Sequence, residues 1–331
     1  MKGTIGLIAN PASGKDIRRI VAYGTTADNM EKVNIVRRMI LGACSQGVTD
    51  IWYMPDYFEI GEQAIGGIYQ EHQHLIRDLT MHKLKMYQLG EEADSTIAAS
   101  KMKECGAEVV IVLGGDGTSR AVAKAIGDIP MISISTGTNN AFPLAIEGTI
   151  AGMAAGAYAS GSIPDETALR PSKRIEILRD GEYADMALID AVVLDQETVG
   201  SRAMWKTDKM KQIFLSRCAA DTIGISSIGG RLVDVGEEES CGYYIQVEKN
   251  GREVLAPIAP GLMAEVGIGE HRKIGIGERV PVSTGSGVIA VDGERNFEFF
   301  AGQKIELRVT WDGPKMLNVA AVLREARGQQ V

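Results

Sequence analysis

An apolar run at residues 108–113 ends directly in Gly114-Gly115-Asp116-Gly117-Thr118, and helical spacing follows over residues 119–126. A buried strand that feeds a helix through three glycines fits a parallel α/β sheet, where ligands bind at the carboxyl ends of the strands. The bare backbone of such a turn, with the helix N-terminus behind it, favours phosphate. Asp116 is the discordant member, because a carboxylate among phosphate-binding amides is unfavourable without a task. It could accept a proton from a hydroxyl, hold a divalent cation or cap the helix, and spacing alone leaves these open.

The same alternation runs through the first 145 residues. Strands are predicted at 3–9, 49–54, 83–89, 108–113 and 130–133, with helical spacing at 29–46, 61–75, 95–105 and 119–126. Repeated βαβ units imply a parallel sheet covered on both faces. After residue 160 the texture changes to β-rich runs at 174–178, 187–194, 243–248, 288–291 and 305–309. Between them lie Arg179-Asp180-Gly181, Lys249-Asn250-Gly251 and Ala301-Gly302; Asp-Gly and Asn-Gly between apolar runs signal hairpins. The echo Gly267-Ile-Gly-Glu-His and Gly275-Ile-Gly-Glu-Arg reads as a pair of related turns at hairpin ends. The fold expected is an α/β N-terminal domain over 1–145 and a mainly β, sandwich-like domain over 146–315. A C-terminal segment, 316–331, is expected to pack back on the first domain. Residues 148–164 carry no charge, but their Gly, Ala and Ser content suits a closely packed helix rather than a membrane span.

Composition bounds the function classes. A chain of 331 residues suggests two domains. With 45% hydrophobic and 24% charged residues it can bury a sizeable core, which excludes wholesale disorder. A formal net charge of −8 and a pI near 5.2 have the wrong sign for a protein that lives on nucleic acid or anionic lipid. Cys44, Cys105, Cys218 and Cys241 stand far apart without a C-x-x-C pair, so reduced thiols in a cytoplasmic protein are expected. The apolar run behind Met1-Lys2 is too short for a signal-peptide core.

Two more polar segments follow predicted strands. Asn10-Pro-Ala-Ser13-Gly-Lys15 departs from a Walker A loop, with Ala9 at the first glycine and Asp16 where Ser or Thr should follow the lysine. Ser133-Ile-Ser-Thr-Gly-Thr138-Asn139-Asn140 supplies hydroxyl and amide groups suited to sugar or phosphate. Three polar loops at the carboxyl ends of strands in one sheet describe a nucleotide-phosphate cleft better than any one of them.

These motifs, with Val291-Asp292-Gly293-Glu294 late in the chain, occur in an order that resembles the superfamily of NAD kinases, diacylglycerol kinases and sphingosine kinases, and more distantly phosphofructokinases. Within it the chain is most similar to the ATP-NAD kinase-like proteins of the acetoin-catabolism X group. The resemblance implies a cleft in which ATP, with Mg²⁺, gives its γ-phosphoryl group to a hydroxyl, foremost the 2′-hydroxyl of NAD to yield NADP. It implies that Gly114, Gly115, Gly117 and Thr118 cradle phosphates and that Asp116 orients or deprotonates the acceptor. Asn10, Ser13 and Lys15 would lie at the donor phosphates, Thr138, Asn139 and Asn140 at the cleft wall, and Asp190 at an acceptor ribose. Asp292 and Glu294 support a metal or cap a turn. Homo-oligomers are common in the superfamily and are expected here.

Some positions depart from NAD kinases. Their Asn-Glu acceptor pair is matched by Ile189-Asp190, which keeps an acid and loses the amide, and their Ser/Thr/Gly stretch is shortened to residues 224–230. The Asn-Pro-x-Ser-Gly and Asp-Gly-Glu motifs are closer to the lipid-kinase branch. Two alternatives follow: a kinase of a lipid-like or small polyol hydroxyl, with a more apolar second pocket, and a nucleotide-binding regulator without catalysis. Other motifs are weaker. His72 and His74 face different ways on a helix, and His82 and His271 are isolated. Glu237-Glu238-Glu239 reads as a charged loop, and Lys206, Lys209 and Lys211 around Trp205 as a solvated cluster.

Overall fold

The computed structural model describes residues 3–13, 23–24, 27–137, 140–195 and 207–328. Lys15, Thr138, Asn139, Trp205 and Lys206 lie outside the described residues. The first part alternates β1 (Gly3–Ala9), α1 (Asn29–Cys44), β2 (Val48–Tyr53), α2 (Ile60–Glu71), β3 (Thr80–Lys83), α3 (Glu92–Glu104), β4 (Val109–Gly114), α4 (Asp116–Ala123), β5 (Met131–Ser135) and α5 (Gly148–Ala159). Every residue of β4 is buried, as its Val-Val-Ile-Val-Leu run demands of a parallel strand covered on both faces. After a short helix α6 (Asp165–Ala168) come β6 (Leu169–Arg170), β7 (Arg174–Arg179), β8 (Glu182–Ala187), β9 (Asp190–Leu194), β10 (Met210–Leu215) and helix α7 (Ser226–Gly230). The chain continues through β11 (Cys241–Ala259), β12 (Leu262–Gly275), β13 (Val280–Pro281), β14 (Gly287–Val291), β15 (Glu294–Phe299) and β16 (Ile305–Thr310), and ends in β17 (Met316–Leu317) and α8 (Val319–Gly328).

Three sheets result. The first runs β3-β2-β1-β4-β5-β17-β6, parallel from β3 to β17. The second, β12-β11-β10-β9-β14-β15, and the third, β13-β16-β7-β8, are antiparallel. A core of Ile175, Ile177, Val193, Phe214, Ile289 and Leu307 lies between these two, so the later half is a β-sandwich behind an α/β unit. α8 buries Val319 and Val322 in the core of the first sheet, beside Leu317 of β17. All four cysteines are free thiols. Among the described residues no helix is long and apolar enough to cross a membrane.

The structure revises several local expectations. The third strand runs Thr80–Lys83 and shares only Lys83 with the predicted 83–89: β3 pairs with β2 alone at the sheet edge, and the residues beyond it leave the sheet, with Tyr87 91% exposed. Arg179-Asp180-Gly181 does turn a hairpin, with Asp180 and Gly181 at positive φ. Lys249-Asn250-Gly251 does not: β11 passes through it, and Val247 and Arg252 both face Ile268 across a wide bulge. A side chain at Gly251 would meet the Ile268 carbonyl oxygen at 2.3 Å, so that glycine serves close approach. The reversal comes at Pro260-Gly261, where Gly261 has φ +72°. Gly267 packs on the bulge at Glu248 and ends no hairpin.

Candidate functional site

β1, β4 and β5 are neighbours, so the three polar loops lie side by side along one edge. Ala9 pairs with Leu113, and Leu113 with Ile134, which levels Asn10 with Gly114 and Ser135. Side chains then tie the loops together. Asn10 donates through Nδ2 to the Thr118 hydroxyl at 3.0 Å and accepts the Ala12 amide through Oδ1 at 2.8 Å. The Thr136 hydroxyl donates to Ser13 at 3.3 Å, and Asn140 Nδ2 donates to the Ser135 hydroxyl at 2.8 Å. Lys32 of α1, which no motif flags, is fully buried beneath the first loop. Its ammonium donates to the carbonyls of Asn10, Pro11 and Ser13 at 2.9, 3.2 and 2.7 Å.

The glycines at the fourth strand's end serve close contact, since none of Gly114, Gly115 and Gly117 has positive φ. A Cβ on Gly114 would lie 2.5 Å from that of Thr118, and one on Gly115 would lie 2.9 Å from Asn140 Oδ1. At Gly117 it would lie 3.2 Å from a carboxylate oxygen of Glu294, far along the chain. α4 begins at Asp116 rather than Ser119, so three residues expected in the loop form its first turn. There an acid is favoured by the helix dipole.

Asp116 is not the helix cap; that position is Gly115. Its Oδ1 accepts the amides of Ala141 and Phe142 at 3.1 and 2.8 Å, and its Oδ2 accepts Ala141 at 3.1 Å. The carboxylate is therefore fixed as an acceptor at the start of a helix, between the second and third loops. Arg217, absent from the sequence reading, donates to the Ala141 carbonyl oxygen and pairs with Glu237. Its guanidinium carbon stands 5.6 Å from the centre of the Phe142 ring. Burial lowers the pKa of Arg217, against the pull of Asp116 and Asp292.

Asp292 and Glu294 arrive from the β14–β15 turn, where Asp292 and Gly293 have φ of 49° and 78°. The Asp292 carboxylate caps a different stretch of chain. It accepts the amides of Leu188 at 3.0 Å, Ile189 at 2.8 Å and Asp190 at 3.3 Å. Burial pushes its pKa up to about 7, opposed first by Arg120 and by the Leu188 amide, while the charge of Asp116 adds to the rise. Arg120 of α4 is fully buried, with Glu92 at 3.0 Å, Asp292 at 3.6 Å and Glu294 at 3.8 Å. Burial alone would lower its pKa; Glu92 first, then Asp292, Asp185 and Glu294, outweigh it and the pKa rises. Asp190 heads β9, buried, with its amide on Asp292.

The structure thus gathers Asn10, Ser13, Gly114, Gly115, Asp116, Gly117, Thr118 and Asn140 at one edge, with Asp292 and Glu294 brought up through Arg120. Glu237 belongs to this region through Arg217, whereas Glu239 pairs with Lys273 at 2.7 Å. His82 is not isolated: it bonds Asp50 at 2.8 Å and stacks on Trp52. His271 bonds the Tyr243 hydroxyl at 2.7 Å. Lys211 pairs with Asp195 at the surface. Among the described residues no three His, Cys, Asp or Glu side chains converge as a metal cage.

Comparison with known proteins agrees with this architecture. Residues 5–158 match the ATP-NAD kinase N-terminal domain, and residues 173–312 match the acetoin catabolism protein X C-terminal domain. The acetoin catabolism protein X of Cupriavidus necator is 36% identical over 336 aligned positions, covering 97% of this chain and 92% of the relative. Among solved structures, a protein of Bacillus anthracis str. Sterne classed as a diacylglycerol kinase gives a TM-score of 0.51 at 13% identity, covering 95% of this chain and 97% of its own. A second structure of a diacylglycerol kinase from that organism gives 0.47 at 12% identity, with 95% and 96% covered. At 13% identity the first of these likenesses concerns the fold alone.

Proposed function

The chain belongs to the acetoin catabolism protein X family, and from that premise we propose that it transfers the γ-phosphoryl group of ATP to a hydroxyl. The observation that carries this reading is the placement of Asp116. A carboxylate held by the amides of Ala141 and Phe142 stands in the first turn of α4, at a helix N-terminus of the kind that favours phosphate. Asn10, Ser13, Gly114, Gly115, Gly117 and Thr118 line the donor-phosphate edge, with Asn140 beside them; Lys15, Thr138 and Asn139 are assigned to the same nucleotide by their place in the sequence motifs alone. Asp116 accepts the hydrogen bond of the acceptor hydroxyl, orients its oxygen toward the γ-phosphorus and takes its proton. Positioning and charge neutralisation supply most of such catalysis. Mg²⁺ carried on the phosphate oxygens of ATP would neutralise their charge.

The acceptor implied by the N-terminal match is NAD, with Asp190 near its ribose. Asp116→Asn keeps the size and removes the charge. It should lower turnover by about a thousandfold or more while ATP binding stays within about tenfold, as expected of a group that acts in the transition state. The assay is NADP formation from NAD, Mg²⁺ and ATP, beside ATP binding by calorimetry. Turnover retained in the variant would remove Asp116 from the reaction. Nucleotide bound by the wild type with phosphate passed to no hydroxyl would favour a regulator.

A further inference from the structure

Ser216 and Arg217 follow β10 directly, and each braces a stretch of backbone that holds one carboxylate of the site. Ser216 donates its amide to the Ile189 carbonyl oxygen at 2.9 Å and its hydroxyl to that of Leu188 at 2.6 Å. Leu188 and Ile189 are residues whose amides hold Asp292. With its backbone fixed in this way, Arg217 reaches across to the other carboxylate's support. It donates to the Ala141 carbonyl oxygen, and its guanidinium carbon lies against the Phe142 ring. Ala141 and Phe142 are the two residues whose amides hold Asp116. A strand end of the β-sandwich thus grips the loop that aims a carboxylate of the α/β unit.

Burying a guanidinium is costly unless close partners offset it. Arg120 meets three carboxylates within 4 Å. Arg217 is paired instead with Glu237, whose side chain is 60% exposed, and the buried charges that offset its desolvation are Asp116 first and then Asp292. Its placement is explained by what it grips. A carboxylate in the first turn of a helix can rotate about its own side-chain bonds, and the amides of residues 141–142 choose one orientation for Asp116. A displacement of about 1 Å in such a group can cost about a hundredfold in rate. We propose that Arg217 is the positioning residue of Asp116: from the end of β10 it clamps Ala141 and Phe142, so that their amides hold the carboxylate in one orientation. The consequence for turnover rests on the phosphotransferase reading above; the clamp itself does not.

Arg217 also lines a cavity of about 790 Å³, with Phe142, Leu144, Leu317 and Ala320. The cavity meets the surface at Leu144, which is 44% exposed, so a guanidinium ion from solvent can occupy the space that a shortened side chain leaves. The experiment takes Arg217→Ala in the whole protein, with and without millimolar guanidinium chloride, and with methylammonium as the control that lacks a planar fork. Hydrogen exchange in peptides covering Ala141 and Phe142, read by mass spectrometry, should quicken at least tenfold in the variant. Guanidinium, and not methylammonium, should slow it again. Phosphoryl transfer from labelled ATP, to NAD or to water, should show kcat lowered at least tenfold and restored by guanidinium, with KM for ATP within about threefold of the wild type. Glu237→Gln, at an exposed position that folding tolerates, loosens the same guanidinium and should quicken that exchange by a smaller factor; it decides the matter where Arg217→Ala fails to fold. Exchange unchanged in the variants overturns the clamp, whatever the protein phosphorylates. Exchange quickened with kcat unchanged overturns the positioning role and leaves Arg217 a stabilising contact. Exchange quickened and rescued, in a protein whose wild type transfers no phosphate, supports the clamp and overturns the phosphotransferase reading.

Discussion

Arg120 has no exposed surface, yet it carries a charge and lies one helical turn beyond Asp116. A buried guanidinium is tolerable only with several partners, and Glu92, Asp292 and Glu294 provide them from two different parts of the chain. Asp292 sits in the same network with its pKa raised by burial. The folded protein therefore keeps a proton on Asp292 that the unfolded chain releases between the ordinary aspartate range and about pH 7. The stability contributed by that proton is full at lower pH and is lost as pH rises through about 7. Asp292→Asn should erase this dependence. In urea denaturation, the wild type should lose stability relative to the variant between pH 4.5 and pH 7.5. A difference that stays constant over that range would mean that Asp292 has the same protonation in both states.

Between helices, α1 and α5 come close enough for backbone to meet backbone. A Cβ on Gly152 would lie 2.1 Å from the Met39 carbonyl oxygen, and one on Gly42 would lie 2.3 Å from that of Thr149. The uncharged small-residue segment is thus a helix that lets two backbones touch, as its composition suggested. Alanine is the better helix former by about 1 kcal/mol, but at Gly152 the added methyl meets backbone that cannot step aside. Gly152→Ala should therefore cost about 1–3 kcal/mol. Gly66, within α2, has nothing inside 4 Å of its would-be Cβ. There the propensity gain is unopposed, and Gly66→Ala should add about 0.5–1 kcal/mol. Thermal or urea unfolding of the pair checks the contrast; equal signs would refute it.

At the scale of the molecule, the C-terminal segment returns to the sheet that begins the chain. β17 adds to β5, and Leu317, Val319 and Val322 enter that core. Burying each such side chain stabilises by roughly 1.5–3 kcal/mol, so the three together rival a typical total of about 5–15 kcal/mol. A chain that stops at residue 315 should unfold at least about 10 °C lower, or fail to fold in soluble form, by calorimetry and gel filtration. A truncated chain of unchanged melting temperature would show that the segment is dispensable.

The sequence by itself determined the parallel sheet, the three loops at its edge and the sandwich behind it, because these follow from local periodicity and from strands that end in polar turns. It marked Asp116 because a carboxylate conflicts with its glycine surroundings, Asn10 because a polar motif follows the first strand, and Asp292 through the resemblance its Asp-Gly-Glu motif carries. It did not reveal Lys32, Arg120 or Arg217, which look like ordinary surface cations until α1, α4 and the β10 end bury them against carbonyls and carboxylates. The Asn250-Gly251 signal misled for a related reason: pairing with β12 overrode a local turn preference. Only the tertiary structure placed the Asp-Gly-Glu turn beside the glycine loop and joined residues near 145, 217 and 320 into one cavity. Partners distant in the chain leave no periodic trace, since what unites them is burial rather than spacing.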